Sequence, residues 1–245
     1  MLTNIDINKM NRLMEGNEDA RQIISQLLVN HQTAVSTIAH EIRNPLTLIS
    51  SSLQIMQKQH PEVKDFFNWN QTMDDIDFMC DLLNELSAFN NGSTLHPSVF
   101  QIEKLLHNIV ISFAISLDSE ESTIKFASRI HPDMGDFTGD KTKLEQLLLN
   151  LLKNAREAVT GLQNGSIFFS AERIDDHILI QCQDNGTGIP ASLIPTIFDP
   201  FVTYKENGTG LGLAISKRIA EAHGGTLSVQ SDSTHGTVFS LQLPV

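Results

Sequence analysis

The stretch STIAHEIRNPLTLISSSLQIM, Ser36 to Met56, sets His40 beside Glu41, with Asn44 one helical turn on and Pro45 next to it. A neutral imidazole is a good nucleophile near pH 7. A neighbouring carboxylate can orient the ring and accept a proton. Alone, such a histidine is more often a plain surface residue; what it lacks is an electrophile. Three glycine-bearing stretches further on could supply one: DNGTGIP (Asp184 to Pro190), NGTGLGLAIS (Asn207 to Ser216) and HGT (His235 to Thr237). Glycines just ahead of a helix let backbone N–H groups approach an anion, and the helix dipole favours negative charge, which suggests phosphate. The P-loop pattern is absent, and no clean strand precedes GTGLG as a dinucleotide loop would need. The glycine-edged segment from Ile189 to Gly212 reads as a lid over a nucleotide, or as an ordinary surface loop. In LLLNLLKNAREAV, Asn150 and Asn154 share one helix face. Amides among leucines are costly unless partnered, by a magnesium ion, phosphate or backbone groups.

The elements that must position these residues divide the chain in two. Up to about Asn91 the periodicity is helical. Ile38, Ile42, Pro45, Ile49, Ser52 and Met56 recur at spacings of four and three, and so do Phe66, Trp69, Met73, Ile76, Cys80 and Leu83. Between the stripes, QKQHPEVK reads as a turn. Two striped helices joined this way form a helical hairpin. One hairpin cannot bury both seams, so two should pair into a dimeric four-helix bundle. With Ile42, Ile49 and Met56 at heptad position a, His40 falls at f, furthest from the seam. Pro45 removes the N–H that would bond the Glu41 carbonyl and should loosen or kink the helix there.

FNNGSTLHPS, Phe89 to Ser98, ends the helical period. Beyond it, QIEKLLHNIVISFAISL, GDKTKLEQLLLNLLKNAREAVTGL (Asp140 as N-cap) and TGLGLAISKRIAEAHGG read as helices. STIKFASRI, SIFFSAERI, HILIQCQDN, GTLSVQSD and GTVFSLQLPV read as strands. Helices on one face of a mixed sheet, an α/β sandwich, are the natural solution. The expected organisation is a lead-in over 1–21, the hairpin over 22–91, a linker over 92–97 and the α/β domain over 98–245.

Composition sets outer limits. The formal net charge of −12 across 245 residues argues against nucleic acid and an anionic membrane surface as partners. The two cysteines, Cys80 and Cys182, form no CxxC pair and fit a reducing compartment. No signal peptide and no bilayer-length apolar run are visible, so a cytoplasmic chain, or the cytosolic part of a larger membrane protein, is expected.

Five motifs now stand in order: His40-Glu41-x-Arg43-Asn44-Pro45, Asn150-(x)3-Asn154, Asp184-x-Gly186-x-Gly188, Phe198-x-Pro200-Phe201 and Gly208-x-Gly210-x-Gly212. The series resembles that of two-component sensor histidine kinases, and it covers nearly the whole chain from Ser36. The resemblance implies that His40 takes the γ-phosphoryl group of ATP, with Glu41 as base or orienting partner. It places Asn44 where the family dephosphorylates its partner. Asn154 would ligate Mg²⁺, with Asn150 and Lys153 near the phosphates. Asp184 would bond the adenine amino group, Gly186 and Gly188 would let the backbone approach the base, and Gly236 and Thr237 would close that side. Phe198 and Phe201 would anchor the lid. Gly208, Gly210 and Gly212, with Thr209 and Leu211 between them, would wrap the phosphates. The implied partners are a second copy of the chain and the receiver domain of a response regulator.

Two positions depart from the commonest pattern. Tyr204 stands where many members carry a second threonine, and Glu157 where many carry a cation. Arg156, Lys153 or Lys205 would then supply the positive charge. Gyrase-like relatives carry a glutamate where this helix has Asn150, so an amide there should suppress ATP hydrolysis. Two rival readings are a phosphatase scaffold with a weak ATP domain and another ATPase of the superfamily. The second leaves the His40 hairpin unexplained.

Overall fold

The computed structural model describes residues 16–118, 123–205, 208–232 and 234–245. The lead-in up to residue 15, Ser122 at the head of the first strand reading and Asn207 at the head of the third-helix motif lie outside them. The chain forms two compact units, divided between Asn91 and Gly92.

The first unit is a helical hairpin. Helix α1 spans Glu18–Gln59 and α2 spans Trp69–Asn91, joined through a 3-10 turn at Pro61–Asp65. Asn17 caps α1 by accepting from the Ala20 N–H at 3.1 Å, a contact of about 1 kcal/mol. Asn68, at φ 67°, adopts the left-handed conformation that asparagine tolerates better than most residues, just before α2. Helix α1 continues through Pro45.

The packing seam of α1 is shifted from the apolar stripe by one residue. Ser36, Ala39, Arg43, Leu46, Ser50, Leu53 and Gln57 are the less exposed positions, again at spacings of three and four. Two of them bond across to the second helix region: Arg43 Nη2 donates to the Leu83 carbonyl at 3.1 Å, and Trp69 Nε1 donates to Gln57 Oε1 at 3.0 Å. Ile38, Ile42, Ile49 and Met56 remain 46–58% exposed on the adjoining face. On α2 the expected stripe does face inward: Trp69, Met73, Cys80 and Leu83 are half-buried and Ile76 is buried. Phe66 precedes the helix and is exposed.

The second unit is an α/β sandwich. Its elements in order are β1 (Ser98–Gln101), α3 (Ile102–Asp118), β2 (Lys125–Ile130), β3 (Asp136–Gly139), α4 (Lys141–Val159), β4 (Ser166–Ile174), β5 (His177–Asp184), a 3-10 turn (Ile194–Thr196), α5 (Gly212–Ala222), β6 (Thr226–Asp232) and β7 (Gly236–Pro244). The main sheet has the order β2-β4-β5-β7-β6; β2 and β4 are parallel and the other pairs antiparallel. Strands β1 and β3 form a separate antiparallel pair that sequence periodicity did not announce. Four-residue strands show too little alternation to be read.

Alternate residues of β4, β5 and β7 are buried, among them Ile167, Phe169, Ile178, Ile180, Phe239 and Leu241. Helices α3, α4 and α5 pack against the sheet and side by side. Helix α4 buries Leu144, Leu147, Leu148, Leu151, Leu152, Ala155 and Val159. Each fully buried leucine contributes about 1.5–3 kcal/mol, which outweighs the cost of the polar residues α4 also carries.

A polar hub fixes α4 against α5. Asp140 caps α4, accepting from the Lys143 N–H, and its other oxygen accepts from the His96 N–H. Burial works against its charge, but the His96 and Lys143 donors outweigh that and hold the carboxyl below the usual range. The Asp140 N–H meets His223 Nε2 at 2.9 Å, while His223 Nδ1 contacts the Ile219 carbonyl at the end of α5.

Candidate functional site

In the hairpin, His40 is exposed next to buried Ala39, and Glu41 and Asn44 are exposed as well. The side chain within reach of the imidazole is Asn44, whose amide lies 3.5 Å from His40 Nδ1. Amide nitrogen and oxygen exchange by a flip of the side chain. With the oxygen turned to an Nδ1–H, the ring would present Nε2 as a free electron pair to solvent. No helix among the described residues is long and apolar enough to cross a membrane.

In the α/β unit the remaining residues converge. Helix α4 aligns Asn150, Lys153, Asn154 and Glu157 at spacings of three and four. Asn150 Nδ2 donates to Ser216 Oγ at 2.9 Å, and Ser216 donates to the Gly212 carbonyl at 3.0 Å. A Cβ on Gly212 would lie 2.6 Å from Asn150 Oδ1. A larger residue there would displace the Asn150 side chain from its bond to Ser216. Leu211 precedes α5 and gives it no side-chain cap, so its first N–H groups remain available to an anion.

Asn154 Oδ1 accepts from Lys205 Nζ at 2.8 Å, and the same ammonium pairs with Glu157. The carboxylate that departs from the family pattern thus holds a cation carried by the loop before α5. Lys153 is exposed. Gly210, at φ 70°, would drive a Cβ to within 2.6 Å of the Phe201 carbonyl carbon, and its own carbonyl accepts from the Phe201 N–H at 3.0 Å. Gly208 packs on Thr203, and Thr209 Oγ1 accepts from the Leu211 N–H. Phe198 is half-buried, edge-on to Phe239 with centroids 6.5 Å apart, with Lys217 Nζ 5.5 Å from its ring centre. Phe201 sits apart from it: its side chain is 61% exposed and its φ is 65°.

Asp184 ends β5 and is 3% exposed. Burial raises its pKa, opposed by N–H donors from Gly186 and Thr237. The Gly186 bond measures 2.8 Å. Gly186 is pressed on Ala158 of α4, and Gly236, at φ 83°, on the Asp184 carbonyl. Thr237 is 3% exposed and faces Asp184 across the β5–β7 register. Asp184, Gly186, Thr237 and Gly236 thus gather at one end of the sheet. The buried carboxylate there accepts hydrogen bonds and has no cationic partner among those that shift its pKa.

Ser216, Ser231 and His223 were not singled out by the sequence. Each acts through a partner distant in the chain, so no local pattern marks it.

These residues fit a nucleotide. The amide oxygen of Asn154 already meets a cationic group, the start of α5 carries no side-chain cap, and Asp184 is a buried acceptor at the end of β5. No group of three or more His, Cys, Asp or Glu side chains among the described residues could cage a metal alone. Mg²⁺ needs no such cage: one or two protein oxygens, phosphates and water suffice.

A phospho-acceptor helix hairpin and an ATP-binding α/β sandwich define a class. The profile of the family described as "His Kinase A (phospho-acceptor) domain" matches residues 30–89. That of the "Histidine kinase-, DNA gyrase B-, and HSP90-like ATPase" family matches residues 139–245. The chain belongs to the sensor histidine kinases and comprises their catalytic core. It is 32% identical over 234 residues to sporulation kinase C of Bacillus subtilis (strain 168), covering 95% of this chain and 53% of that protein. It is 31% identical over 224 residues to the sensory histidine kinase/phosphatase NtrB of Azospirillum brasilense, covering 86% of this chain and 54% of that one. The chain spans about half the length of these two relatives. The crystal structure of full-length ShkA in complex with AMPPNP shares the fold, with a TM-score of 0.72 at 23% identity over 86% of this chain and 45% of that one.

Proposed function

We propose that this chain phosphorylates His40 from ATP and passes the phosphoryl group to an aspartate of a response-regulator receiver domain. We also propose that it removes that group again. The observation that carries the reading is the gathering of Asp184, Asn154 and the uncapped start of α5 in a chain that also presents an exposed His40. In this reading, residues 22–91 are the phospho-acceptor hairpin, preceded by the lead-in at 1–21 and followed by a linker at 92–97. Residues 98–245 are the catalytic domain. The exposed Ile38, Ile42, Ile49 and Met56 pair two hairpins into a homodimer, and the chain works on the cytosolic side.

Phosphoryl transfer is mostly positioning and charge neutralisation. The Asp184 carboxylate accepts the adenine amino group, beside Gly186, Gly188 and Thr237. Gly208, Gly210 and Gly212, with Thr209 and Leu211, open the backbone to the phosphates. A magnesium ion, held through Asn154 Oδ1, would neutralise phosphate charge. Lys205 leaves Asn154 for the phosphates, and Lys153 adds a second positive charge. Phe198 holds the near end of the lid and Phe201 its exposed bend. His40 Nε2 attacks the γ-phosphorus in line, the bond to the bridging oxygen breaks, and ADP leaves. Glu41, turned to the ring in place of Asn44, takes the Nδ1 proton. Asn150 is an amide where hydrolytic relatives place a carboxylate, so water is not activated. Asn44, in contact with the imidazole, is placed to orient water towards the phosphorylated regulator. The chain's relative in A. brasilense, NtrB, is a sensory histidine kinase/phosphatase, which supports that second activity.

The test is to incubate the protein and its His40→Gln variant with γ-labelled ATP and Mg²⁺. Label that is acid-labile, base-stable and absent from the variant is expected. Steady phosphate release from both proteins, without label, would point to a plain ATPase and sink the reading.

A further inference from the structure

Ser231, on the edge strand β6, is the meeting point of three segments. Its Oγ accepts from the Ile189 N–H at 2.7 Å, at the far end of the DNGTGIP loop. It lies 3.0 Å from the Gly236 carbonyl and 2.8 Å from Thr237 Oγ1 on β7. Ser231 and Thr237 are directly paired in the β6–β7 register. Thr237 in turn pairs with Asp184, and its N–H donates to the Asp184 carboxylate. The Asp184 carboxylate also accepts from Gly186, two residues further along the same loop.

These contacts close a ring. It runs from Asp184 to Thr237 through the backbone bond, from Thr237 to Ser231 through the hydroxyls, from Ser231 to Ile189, and back through Gly188 and Thr187 to Gly186 and Asp184. Gly188 carries φ 70°, so the loop bends there, and the Ile189 N–H just past the bend is bonded to Ser231. One hydroxyl therefore controls two things. It contacts the Thr237 side chain, paired with Asp184 across the sheet, and it ties down the loop at Ile189, next to Gly188. Asp184 bonds Gly186 and Thr237 but does not bond the far end of the loop, where the Ile189 N–H donates to Ser231.

We propose that Ser231 is a positioning residue for base recognition: through Thr237 and Ile189 it sets the pocket that distinguishes an amino-purine from an oxo-purine nucleotide. The inference rests on the reading of Asp184 as the acceptor of the purine amino group. A loosened ring would let Thr237 and the loop rearrange around a base with a carbonyl in place of the amine, so selectivity should fall more than phosphate binding does. Buried polar pairing is where such discrimination originates, since a wrong base leaves the carboxylate unpaired.

The experiment is equilibrium binding of ADP and IDP, with Mg²⁺, to the full chain. The proteins are wild type, Asp184→Asn, Ser231→Ala and Ser231→Thr, each checked for folding by circular dichroism. The wild type is expected to prefer ADP, and Asp184→Asn to lose that preference. Ser231→Ala should lower the ADP-to-IDP preference by about tenfold, roughly the effect of one or two lost hydrogen bonds. Ser231→Thr, which keeps the hydroxyl, should restore most of it. If wild type and Asp184→Asn bind the two nucleotides alike, the reading of Asp184 fails. If Asp184→Asn loses selectivity while folded Ser231→Ala keeps it, the Ser231 inference fails alone. Equal weakening of ADP and IDP in Ser231→Ala, or an unfolded alanine variant beside a threonine variant without selectivity, would make the residue structural and overturn the proposal.

Discussion

The helical hairpin exposes His40 and many of its large apolar residues, whereas the α/β unit buries both its core and the Asp184 carboxylate. In α1, Ile38, Ile42, Ile49 and Met56 are 46–58% exposed, while in α4 Leu144, Leu147 and Leu152 are fully buried. His40 stands in solvent, and Asp184 is held by backbone donors at 3% exposure. On the proposed function, the difference follows from what each must meet. A phospho-acceptor must reach a nucleotide and then a second protein, so it cannot be enclosed. A base acceptor gains discrimination from a dry site, where an unpaired polar group is expensive.

The contrast can be tested at one cysteine in each unit. Cys182 is buried, and burial, with the Asp184 charge adding to it, pushes its thiol up to about 12. At pH 8 its thiolate fraction is on the order of 10⁻⁴, before any steric protection. Cys80 is only half-buried. Alkylation followed by mass spectrometry should label Cys80 far faster, by about a thousandfold or more. Equal rates would mean that the α/β core opens as readily as the hairpin.

The next effect is on stability. Leu151→Ala should cost the α/β unit about 2–5 kcal/mol, because its surroundings are closed on all sides. Ile49→Ala, at 47% exposure, should cost an isolated protomer well under half of that. Trp69, the sole tryptophan, lies in the hairpin, so its fluorescence follows that unit while circular dichroism follows both. In denaturant, Leu151→Ala should move the circular dichroism transition and leave the Trp69 transition in place. A common shift of both would show that the units unfold as one.

Asp184→Asn should weaken ADP binding by about 10- to 100-fold, the loss of a charge-assisted hydrogen bond, without moving the Trp69 transition. The pH dependence carries a sign. Burial raises the Asp184 pKa, so as pH falls the carboxylate is lost earlier than an ordinary carboxylate near 3.9. ADP affinity should therefore decline on the acid side in wild type, and that step should be missing from Asp184→Asn when calorimetry is repeated across pH.

The smallest expected effect is at the Lys205–Glu157 pair. Both side chains are substantially exposed, 50% and 36%, and such pairs contribute under about 1 kcal/mol. Glu157→Gln should leave the melting temperature within a few degrees. It should still change nucleotide affinity, since it frees Lys205. A large stability loss would mean that the pair is structural.

Much of the α/β unit was readable beforehand because its signals are local. Asp140 caps α4 as its position suggested, and Gly161, at φ 81°, lies just past the helix end. The five long strands follow alternation that a buried face imposes. The β1–β3 pair escaped because each strand spans only four residues. In α1 the apolar stripe was visible, but it marks the face left open. The hairpin's own seam lies one residue away and includes Ser36, Arg43, Ser50 and Gln57. Of its polar residues, Arg43 and Gln57 find partners on α2, at Leu83 and Trp69, which hydrophobicity alone does not report.

By itself, the sequence determined the two-part organisation and the order of the helices and main strands, and it pointed to the residues proposed to carry phosphoryl chemistry, since periodicity, capping and motif spacing are local properties. Tertiary structure decided which α1 face packs, that Asn150 reaches Ser216, that Lys205 meets Asn154 and Glu157, and that Ser231 closes the ring around Asp184. Those contacts join residues about forty to sixty-six positions apart. Such pairings depend on how strands register and helices dock, and no short window of sequence contains that information.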